Sequence, residues 1–134
     1  MQYWLVKTEP STYSYADLER DRRTRWDGVS NPLALRHIRA IRAGDRVFVY
    51  HTGDQKAIVG IARVASDPYP DPQDPSLTVV DLEAERALHT PVTLAAIKAD
   101  PAFAEFPLVR QARLSVVPVS EDRWKRLLAM AEAG

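Results

Sequence analysis

The sequence contains no cysteine, only five glycines and no excess of charge of either sign. Without cysteine, the chain has no disulfide framework, no thiol nucleophile and no cysteine-ligated metal. The glycines are too far apart to form a glycine-rich phosphate-binding loop, and no Gly-x-Ser-x-Gly sequence marks a serine nucleophile. The 18 basic and 18 acidic residues balance, so the total charge does not predict a polyanionic partner. The sequence therefore lacks the commonest signatures of thiol, phosphate-loop and serine enzymes.

Metal-binding and membrane-spanning patterns are also missing. The histidines His37, His51 and His89 do not have the spacing of metal ligands, so we expect neither a metal nor a cofactor. Segment 1–7 is too short, and is interrupted by charge too early, to be a signal peptide or a membrane span. We therefore expect a cytoplasmic protein that does not associate with membranes.

The length and hydrophobic content are those of one domain. A chain of 134 residues with 46% hydrophobic residues can fill one core, and we expect a single domain over residues 1–134 that exists as a monomer. Charge is unevenly distributed along it. Eight arginines and three aspartates give segment 20–46 a net charge of +5, whereas segment 66–85 has six carboxylates and no basic residue. This asymmetry is compatible with an anion-binding face, and equally with local ion pairs on a solvated surface.

Apolar spacing and turn residues predict a succession of short strands and helices. Strands are predicted at 3–7, 46–51, 57–65, 77–85 and 114–119, and helices from Ser14 to about residue 20, at 32–42, at 93–99 and after Ser120. Segments 46–51 and 57–65 form a predicted hairpin, and 77–85 is expected near a sheet edge. Four prolines in 67–75 predict a stiff surface loop. Because the links between strands are too short for repeated βαβ crossovers, we expect an α+β fold with a small, largely antiparallel barrel flanked by helices.

The segment Trp26-Asp27-Gly28-Val29-Ser30-Asn31-Pro32 joins a large aromatic side chain to a glycine bend and a helix start. Asn31 is a preferred N-cap and Pro32 suits the first helical position, so the positive end of the helix points back toward Trp26. Such a segment can build a pocket for a flat, polar ligand. A capped helix with Trp26 packed in the core explains the same residues.

Two further groups of polar residues lie at predicted strand ends. In Lys7-Thr8-Glu9, strand alternation places Lys7 and Glu9 on one face, where they would form a polar floor if that face lines a cleft, and Thr8 on the other. A solvated strand end with a weak ion pair is the simpler interpretation. Tyr50-His51-Thr52 also ends a strand, where polar groups often meet ligands, although a lone histidine there is more often structural.

Six separated blocks of the sequence, taken together and in this order, resemble the EVE domain, the module of the thymocyte nuclear protein family. They are Tyr3-Trp4-Leu5-Val6-Lys7-Thr8-Glu9-Pro10, Trp26-Asp27-Gly28-Val29-Ser30-Asn31, Val49-Tyr50-His51-Thr52, Val59-Gly60-Ile61-Ala62, Tyr69-Pro70-Asp71-Pro72 and Arg113-Leu114-Ser115-Val116. The resemblance spans nearly the whole chain, and it rests on the set of blocks rather than on any one of them.

The resemblance implies a PUA-like fold, a small curved β-barrel flanked by helices and similar to YTH and ASCH domains. It also implies a non-enzymatic reader of DNA or RNA that carries a modified base, with a modified cytosine favoured and flipped into an aromatic pocket. The residues that the resemblance places at this pocket are Trp26, Val29, Ser30, Asn31, Lys7, Glu9, Tyr50, His51 and Thr52.

The chain departs from the family pattern at two places. Many family members carry arginine where this chain has Ser30, and a Gln-Ala-Arg-Asn run where it has Leu33-Ala34-Leu35-Arg36. These changes leave the implied fold intact, but they concern the identity of the bound base and any phosphate contact from position 30. Arg36, Arg39 and Arg42 of the predicted helix are candidates to contact phosphate instead.

Two other functions remain open. ASCH-like relatives of the same fold suggest a small enzyme of the amidohydrolase type acting on modified nucleosides, with Lys7 or Glu9 as general base and Thr8 as nucleophile or positioning group. Strand alternation counts against this enzyme, since Thr8 would face away from the other two side chains. The proline-rich segment 67–75 suggests a protein-interaction adaptor.

Overall fold

The computed structural model describes residues 1–133, which form seven strands and five α-helices. The strands are β1 (Tyr3–Thr8), β2 (Arg23–Trp26), β3 (Arg46–His51), β4 (Ala57–Val64), β5 (Tyr69–Asp71), β6 (Asp74–Thr93) and β7 (Val116–Val119). The helices are α1 (Tyr15–Asp21), α2 (Pro32–Ala40), α3 (Leu94–Lys98), α4 (Pro107–Arg110) and α5 (Glu121–Ala133), with a 3-10 turn at Pro101–Phe103. The predicted α+β class is confirmed.

The strands form one mixed sheet in the order β2-β6-β4-β3-β1-β7, with β5 paired to β6. β1 runs parallel to β3, and every other strand pairing within residues 1–133 is antiparallel. The edges β2 and β7 do not pair with each other in this part of the chain, so the sheet is open where the sequence led us to expect a barrel. Helix α2 contacts both β6 and β7. A helix, rather than a strand pairing, therefore covers the opening.

Local capping signals place the first two helices where the sequence predicts them. Ser14 and Asp17 form a capping box at the start of α1, in which each side chain accepts a hydrogen bond from the backbone N–H of the other residue. The Asn31 side chain accepts hydrogen bonds from the backbone of residues 33 and 34, and Pro32 occupies the first position of α2. Both helix starts are thus determined by interactions between near neighbours.

The proline-rich segment 67–75 is a strand hairpin rather than the expected loop. β5 pairs antiparallel with the first part of β6, with Tyr69 opposite Val79. Proline is tolerated because β5 pairs on one side only within residues 1–133, so a missing N–H on its free side removes no ladder bond. β6 is 20 residues long and lies between β2 and β4, so the prediction of a short strand near an edge was wrong. Strand β2 was not predicted.

The basic and acidic segments partly neutralise each other across the sheet. Arg23 of β2 contacts Asp81 of β6 with 2.9 Å between the charged atoms, and Arg46 of β3 forms an ion pair with Glu85 of β6. Ion pairs across the sheet therefore offset part of the charge asymmetry along the sequence. The arginines of α2 differ, since neither Arg36 nor Arg39 forms an ion pair within the described residues.

Gly60 of β4 lets the ring of Tyr15 pack directly onto the sheet. A Cβ atom at residue 60 would lie 2.4 Å from that ring. The Tyr15 hydroxyl donates to the carbonyl of Ile61 at 2.6 Å, and its backbone N–H donates to Nε2 of His51 at 3.0 Å. Burial raises the pKa of Tyr15 to about 12. These contacts hold the start of α1 against β3 and β4.

Helix α5 packs on the sheet through the apolar stripe that the sequence predicts. Trp124 stacks on Phe48 of β3, with ring centroids 3.8 Å apart. Leu127 and Ala131 are buried in the same hydrophobic cluster. Across residues 1–133, no helix has both the length and the apolar character that crossing a bilayer requires.

Candidate functional site

A pocket of about 500 Å³ opens at the end of β2, beside the last residues of β1. Three parts of the chain line it: the end of β1 with the following loop, β2 with the bend after it, and the residue before β7. The lining residues are Lys7, Thr8, Thr12, Tyr13, Thr24, Arg25, Trp26, Asp27, Gly28, Val29 and Ser115. Two aromatic rings, three charged side chains and several hydroxyls thus meet in a cavity whose size suits a small polar ligand.

Trp26 is the last residue of β2 and pairs with Val80 of β6. It is only 8% exposed and belongs to the hydrophobic core, yet it also borders the pocket. The ring of Tyr13 meets the indole edge-on, with centroids 6.2 Å apart and an interplanar angle of 82°. The same residue thus packs in the core and borders the pocket.

Tyr13 is a second aromatic wall that sequence reasoning missed. Its hydroxyl donates to Asp21 at 2.9 Å, and its backbone carbonyl accepts a hydrogen bond from the Thr8 hydroxyl at 2.7 Å. Burial raises the pKa of Tyr13, so the phenol is neutral at neutral pH. Ser115 was also missed, although the block that contains it contributes to the family resemblance. An aromatic residue just before a helix cap was the available signal for Tyr13.

The bend after Trp26 places Val29 at the pocket and leaves Ser30 and Asn31 outside its lining. Gly28 has a φ of +78°, in the left-handed region that glycine adopts without strain. Val29 is buried, whereas Ser30 is exposed. Asn31 caps α2 and borders a separate cavity of about 330 Å³ with Arg113. The observed contacts of Asn31 are therefore those of a helix cap.

Lys7 of β1 lies between the Trp26 pocket and a second cavity of about 300 Å³. Its Nζ atom donates to the carbonyl of Ala112 at 2.8 Å and lies 5.8 Å from the centre of the Tyr50 ring. Burial lowers the pKa of Lys7, because the ammonium loses part of its hydration. A ligand with negative charge would offset that loss.

Thr8 and Glu9 are hydrogen-bonded away from Lys7. Thr8 borders the pocket together with Lys7, so strand alternation does not separate them as expected, because the pocket wraps around the end of β1. The Glu9 carboxylate accepts hydrogen bonds from Ser11 and Thr52 at 3.2 and 3.3 Å, and Glu9 lies outside the lining. Within residues 1–133, no hydrogen bond joins the side chains of Lys7, Thr8 and Glu9.

The strand end Tyr50-His51-Thr52 has a divided role. Tyr50 and Thr52 line the second cavity, and burial raises the pKa of Tyr50. His51 is buried and lines neither this cavity nor the Trp26 pocket. Its Nε2 accepts the N–H of Tyr15, so Nδ1 carries the proton and donates to Gln55 at 2.8 Å. The contacts of His51 are those of a structural residue.

The arginines of α2 and of the turn after it border a different cavity. Arg39 donates to the hydroxyl of Thr78 at 3.1 Å, and Arg42 donates to the backbone carbonyls of Arg39 and Ile41 at 2.6 and 2.7 Å. Arg39 and Arg42 line a groove of about 470 Å³ on the β5 side, together with the proline-rich segment. Arg36 is exposed. The structure therefore separates these arginines from the lining of the Trp26 pocket.

Comparison with protein families gives a match over nearly the whole chain. The model of the EVE domain matches residues 2–130. Thymocyte nuclear protein 1 of Rattus norvegicus is 26% identical to this chain, over 98% of this chain and 74% of that protein.

Solved structures of other proteins have the same fold as this chain. The NMR structure of Rpa0253 from Rhodopseudomonas palustris is 44% identical, with a TM-score of 0.94, and the match covers 99% of this chain and 94% of that chain. The crystal structure of human THYN1 protein in complex with DNA containing 5-methylcytosine is 24% identical, with a TM-score of 0.88 over 98% of each chain. The open sheet and its flanking helices are thus a fold that these proteins share.

Proposed function

The chain belongs to the EVE domain family, and from that premise we propose that it is a non-enzymatic module that binds nucleic acid through a modified base. A modified cytosine is the favoured base, in either DNA or RNA. The observation that carries the proposal is the cavity of about 500 Å³ in which Trp26 and Tyr13 meet the polar end of β1. The DNA in the complex of human THYN1 protein contains 5-methylcytosine, which supports this choice of ligand.

The pocket offers the two kinds of contact that a flipped base needs. Flipping a base out of a duplex costs a few kcal/mol, and stacking on an aromatic ring recovers roughly 1 to 3 kcal/mol per base. Trp26 therefore needs help from polar contacts to the base edge. Lys7, Arg25 and Asp27 border the pocket and supply donors and acceptors for that edge.

Contacts to phosphate complete the proposal. The arginines of α2 and of the turn after it make no ion pair within residues 1–133, so their charges are available to a nucleic-acid backbone that extends beyond the pocket. Arg36, Arg39 and Arg42 would position the strand without reading its sequence. We propose that the protein acts as a monomer.

The side-chain contacts around Lys7 favour binding over catalysis. Catalysis by Thr8 would need a base within hydrogen-bond reach of its hydroxyl. That hydroxyl instead donates to the carbonyl of Tyr13, and Lys7 donates to Ala112. Incubation with acylated cytidines tests this point, and product formation that depends on Thr8 would contradict a purely binding role.

Substitution of Trp26 tests the base-binding proposal. Affinity is measured for two oligonucleotides that differ only in one 5-methylcytosine, with the wild type, Trp26→Ala and Trp26→Phe. The wild type should prefer the modified strand, Trp26→Ala should lose roughly 5- to 150-fold in affinity for it, and Trp26→Phe should keep part of the preference. Trp26→Phe is included in case Trp26→Ala does not fold, because the phenyl ring still fills most of the buried volume of the indole.

Tyr3→Ala is the matched control, since Tyr3 is a partly buried aromatic residue that stacks on Trp124 away from the pocket lining. The affinity of the Tyr3→Ala variant for both oligonucleotides should equal that of the wild type. Folded Trp26→Ala and Trp26→Phe variants that bind both strands as the wild type does would refute the proposal.

A further inference from the structure

The second cavity, of about 300 Å³, brings together three lysines. Lys7, Lys56 and Lys98 line it, and Tyr50, Leu94 and Leu108 provide an apolar side. No carboxylate lies within ion-pairing distance of any of the three ammonium groups in residues 1–133. The cavity is therefore a concave surface of one charge.

The carboxylate of Glu9 lies next to this cavity. Its Oε2 atom lies 2.8 Å from the position that a Cβ at Gly53 would take, and Gly53 is part of the lining. The carboxylate accepts hydrogen bonds from Ser11 and Thr52 and does not line the cavity itself. Glu9 thus does not neutralise the lysines by direct contact.

The fold holds the three lysines in place from three separate segments. The backbone carbonyl of Lys56 accepts a hydrogen bond from Leu94 at 2.8 Å, which ties the β3–β4 turn to the start of α3. Lys98 is the last residue of that helix, and Lys7 is anchored to Ala112 at 2.8 Å. Their convergence is therefore a property of the tertiary structure and not of one flexible segment.

Like charges collected in a partly apolar concavity repel each other and attract an anion. A phosphate group accepts hydrogen bonds from several ammonium groups at once, and lysine binds phosphate as a compact point charge. Lys7 borders both this cavity and the Trp26 pocket. A ligand that occupies the two cavities together would therefore contact Lys7 in each of them.

We propose that the cavity formed by Lys7, Lys56 and Lys98 binds a backbone phosphate next to the base held beside Trp26, an inference that rests on the proposed function. The site is distinct from Arg39 and Arg42, which line a groove elsewhere. It supplies affinity that does not depend on which base occupies the pocket.

Salt dependence of binding tests this subsite directly. Affinities of a single-stranded oligonucleotide with one 5-methylcytosine, and of its unmodified twin, are measured between low and moderate salt for Lys56→Gln, Lys98→Gln and the double variant. Each substitution should weaken the binding of both oligonucleotides by the same factor. It should also reduce the slope of log affinity against log salt by roughly 0.7 for each phosphate charge that is no longer neutralised. Lys125→Gln on α5, an exposed lysine paired with Glu121, should change neither quantity.

The free nucleoside 5-methylcytidine separates weaker phosphate binding from distortion of the base pocket. Because it has no phosphate, its affinity should be the same in the wild type and the lysine variants. A wild-type salt slope in the double variant, or failure of that variant to bind the nucleoside, overturns the subsite.

The two proposals fail in different ways. One outcome is that the lysine variants lower the salt dependence of affinity while Trp26→Ala leaves the preference for the modified oligonucleotide unchanged. The proposal for the base pocket is then refuted, and the proposal for the phosphate site stands. If Trp26→Ala abolishes the preference for the modified oligonucleotide while the lysine variants keep the wild-type salt dependence of affinity, the proposal for the phosphate site is refuted. Wild-type protein that binds neither oligonucleotide overturns both.

Discussion

Gly60→Ala is a one-carbon change whose effect follows from the packing of a single ring. The added Cβ would lie 2.4, 2.5 and 2.6 Å from three ring carbons of Tyr15. These distances are far below a normal carbon contact, and Tyr15 is only 3% exposed, so its ring must move. Movement of the ring would also stretch the bond from its hydroxyl to Ile61.

Two terms set the expected loss of unfolding free energy. Overpacking of a well-packed site costs about 1 to 3 kcal/mol, and leaving a buried hydroxyl without its partner costs about 1 to 3 kcal/mol more. We therefore expect Gly60→Ala to lower the unfolding free energy by about 2 to 6 kcal/mol. Without an obstacle, alanine in a strand would be more stable than glycine by about 0.5 to 1 kcal/mol.

A double-mutant cycle measures the cost of this steric clash with Tyr15. Urea unfolding is followed by tryptophan fluorescence for the wild type, Gly60→Ala, Tyr15→Val and the double variant. In the Tyr15→Val background the ring is absent, so Gly60→Ala should be neutral or slightly stabilising. If Gly60→Ala lowers the unfolding free energy equally in both backgrounds, contact with the Tyr15 ring is not the reason that residue 60 must be glycine.

Three further changes have expected outcomes. Asn31→Ala should lower the unfolding free energy by about 1 kcal/mol through loss of the α2 cap, while binding of 5-methylcytidine stays unchanged in titrations. Burial alone would raise the pKa of Asp81, but hydrogen bonds from Tyr69 and Arg23 outweigh it and hold the pKa below its usual value. Stability that depends on this carboxylate should therefore be lost as the pH falls below about 4, and acid unfolding of Asp81→Asn should show a shallower pH dependence. Because burial lowers the pKa of Lys7, oligonucleotide affinity should fall with rising pH before the value of about 10.4 at which an exposed lysine titrates, and Lys7→Gln should lack this dependence.

The elements that the sequence predicts well are those determined by near neighbours. The capping box at Ser14, the cap at Asn31 and the hairpin of β3 and β4 all depend on residues a few positions apart. Strand β2 is different, because four residues, two of them arginine, are too short a run to give a clear strand pattern. It is held by antiparallel pairing with distant β6, to which the ion pairs of Arg23 with Asp81 and Glu83 are added.

The Trp26 pocket shows the same division. The family resemblance places Lys7, Trp26 and Val29 at a site, and the structure puts all three in one lining. Tyr13 and Ser115 join them through tertiary contacts, and their local signals are weak: Tyr13 precedes a helix cap, and Ser115 lies in one of the blocks of the family resemblance. Conversely, the polar character of His51 and Asn31 suggested ligand contacts, while their hydrogen bonds are those of fold stabilisation.

The place of β1 in the sheet has a consequence for the order in which the protein can be assembled. β1 lies between β3 and β7, and β7 is built from residues 116–119. The backbone N–H of Lys7 donates to the carbonyl of Ser115 at 3.0 Å, so one wall of the pocket is supplied by a segment that is synthesised late. During translation, Lys7 and Trp26 emerge long before that wall exists. A ligand therefore cannot use the complete pocket before residues 115–119 have been synthesised, and a protein truncated before β7 loses this pocket wall together with one of the two sheet neighbours of β1.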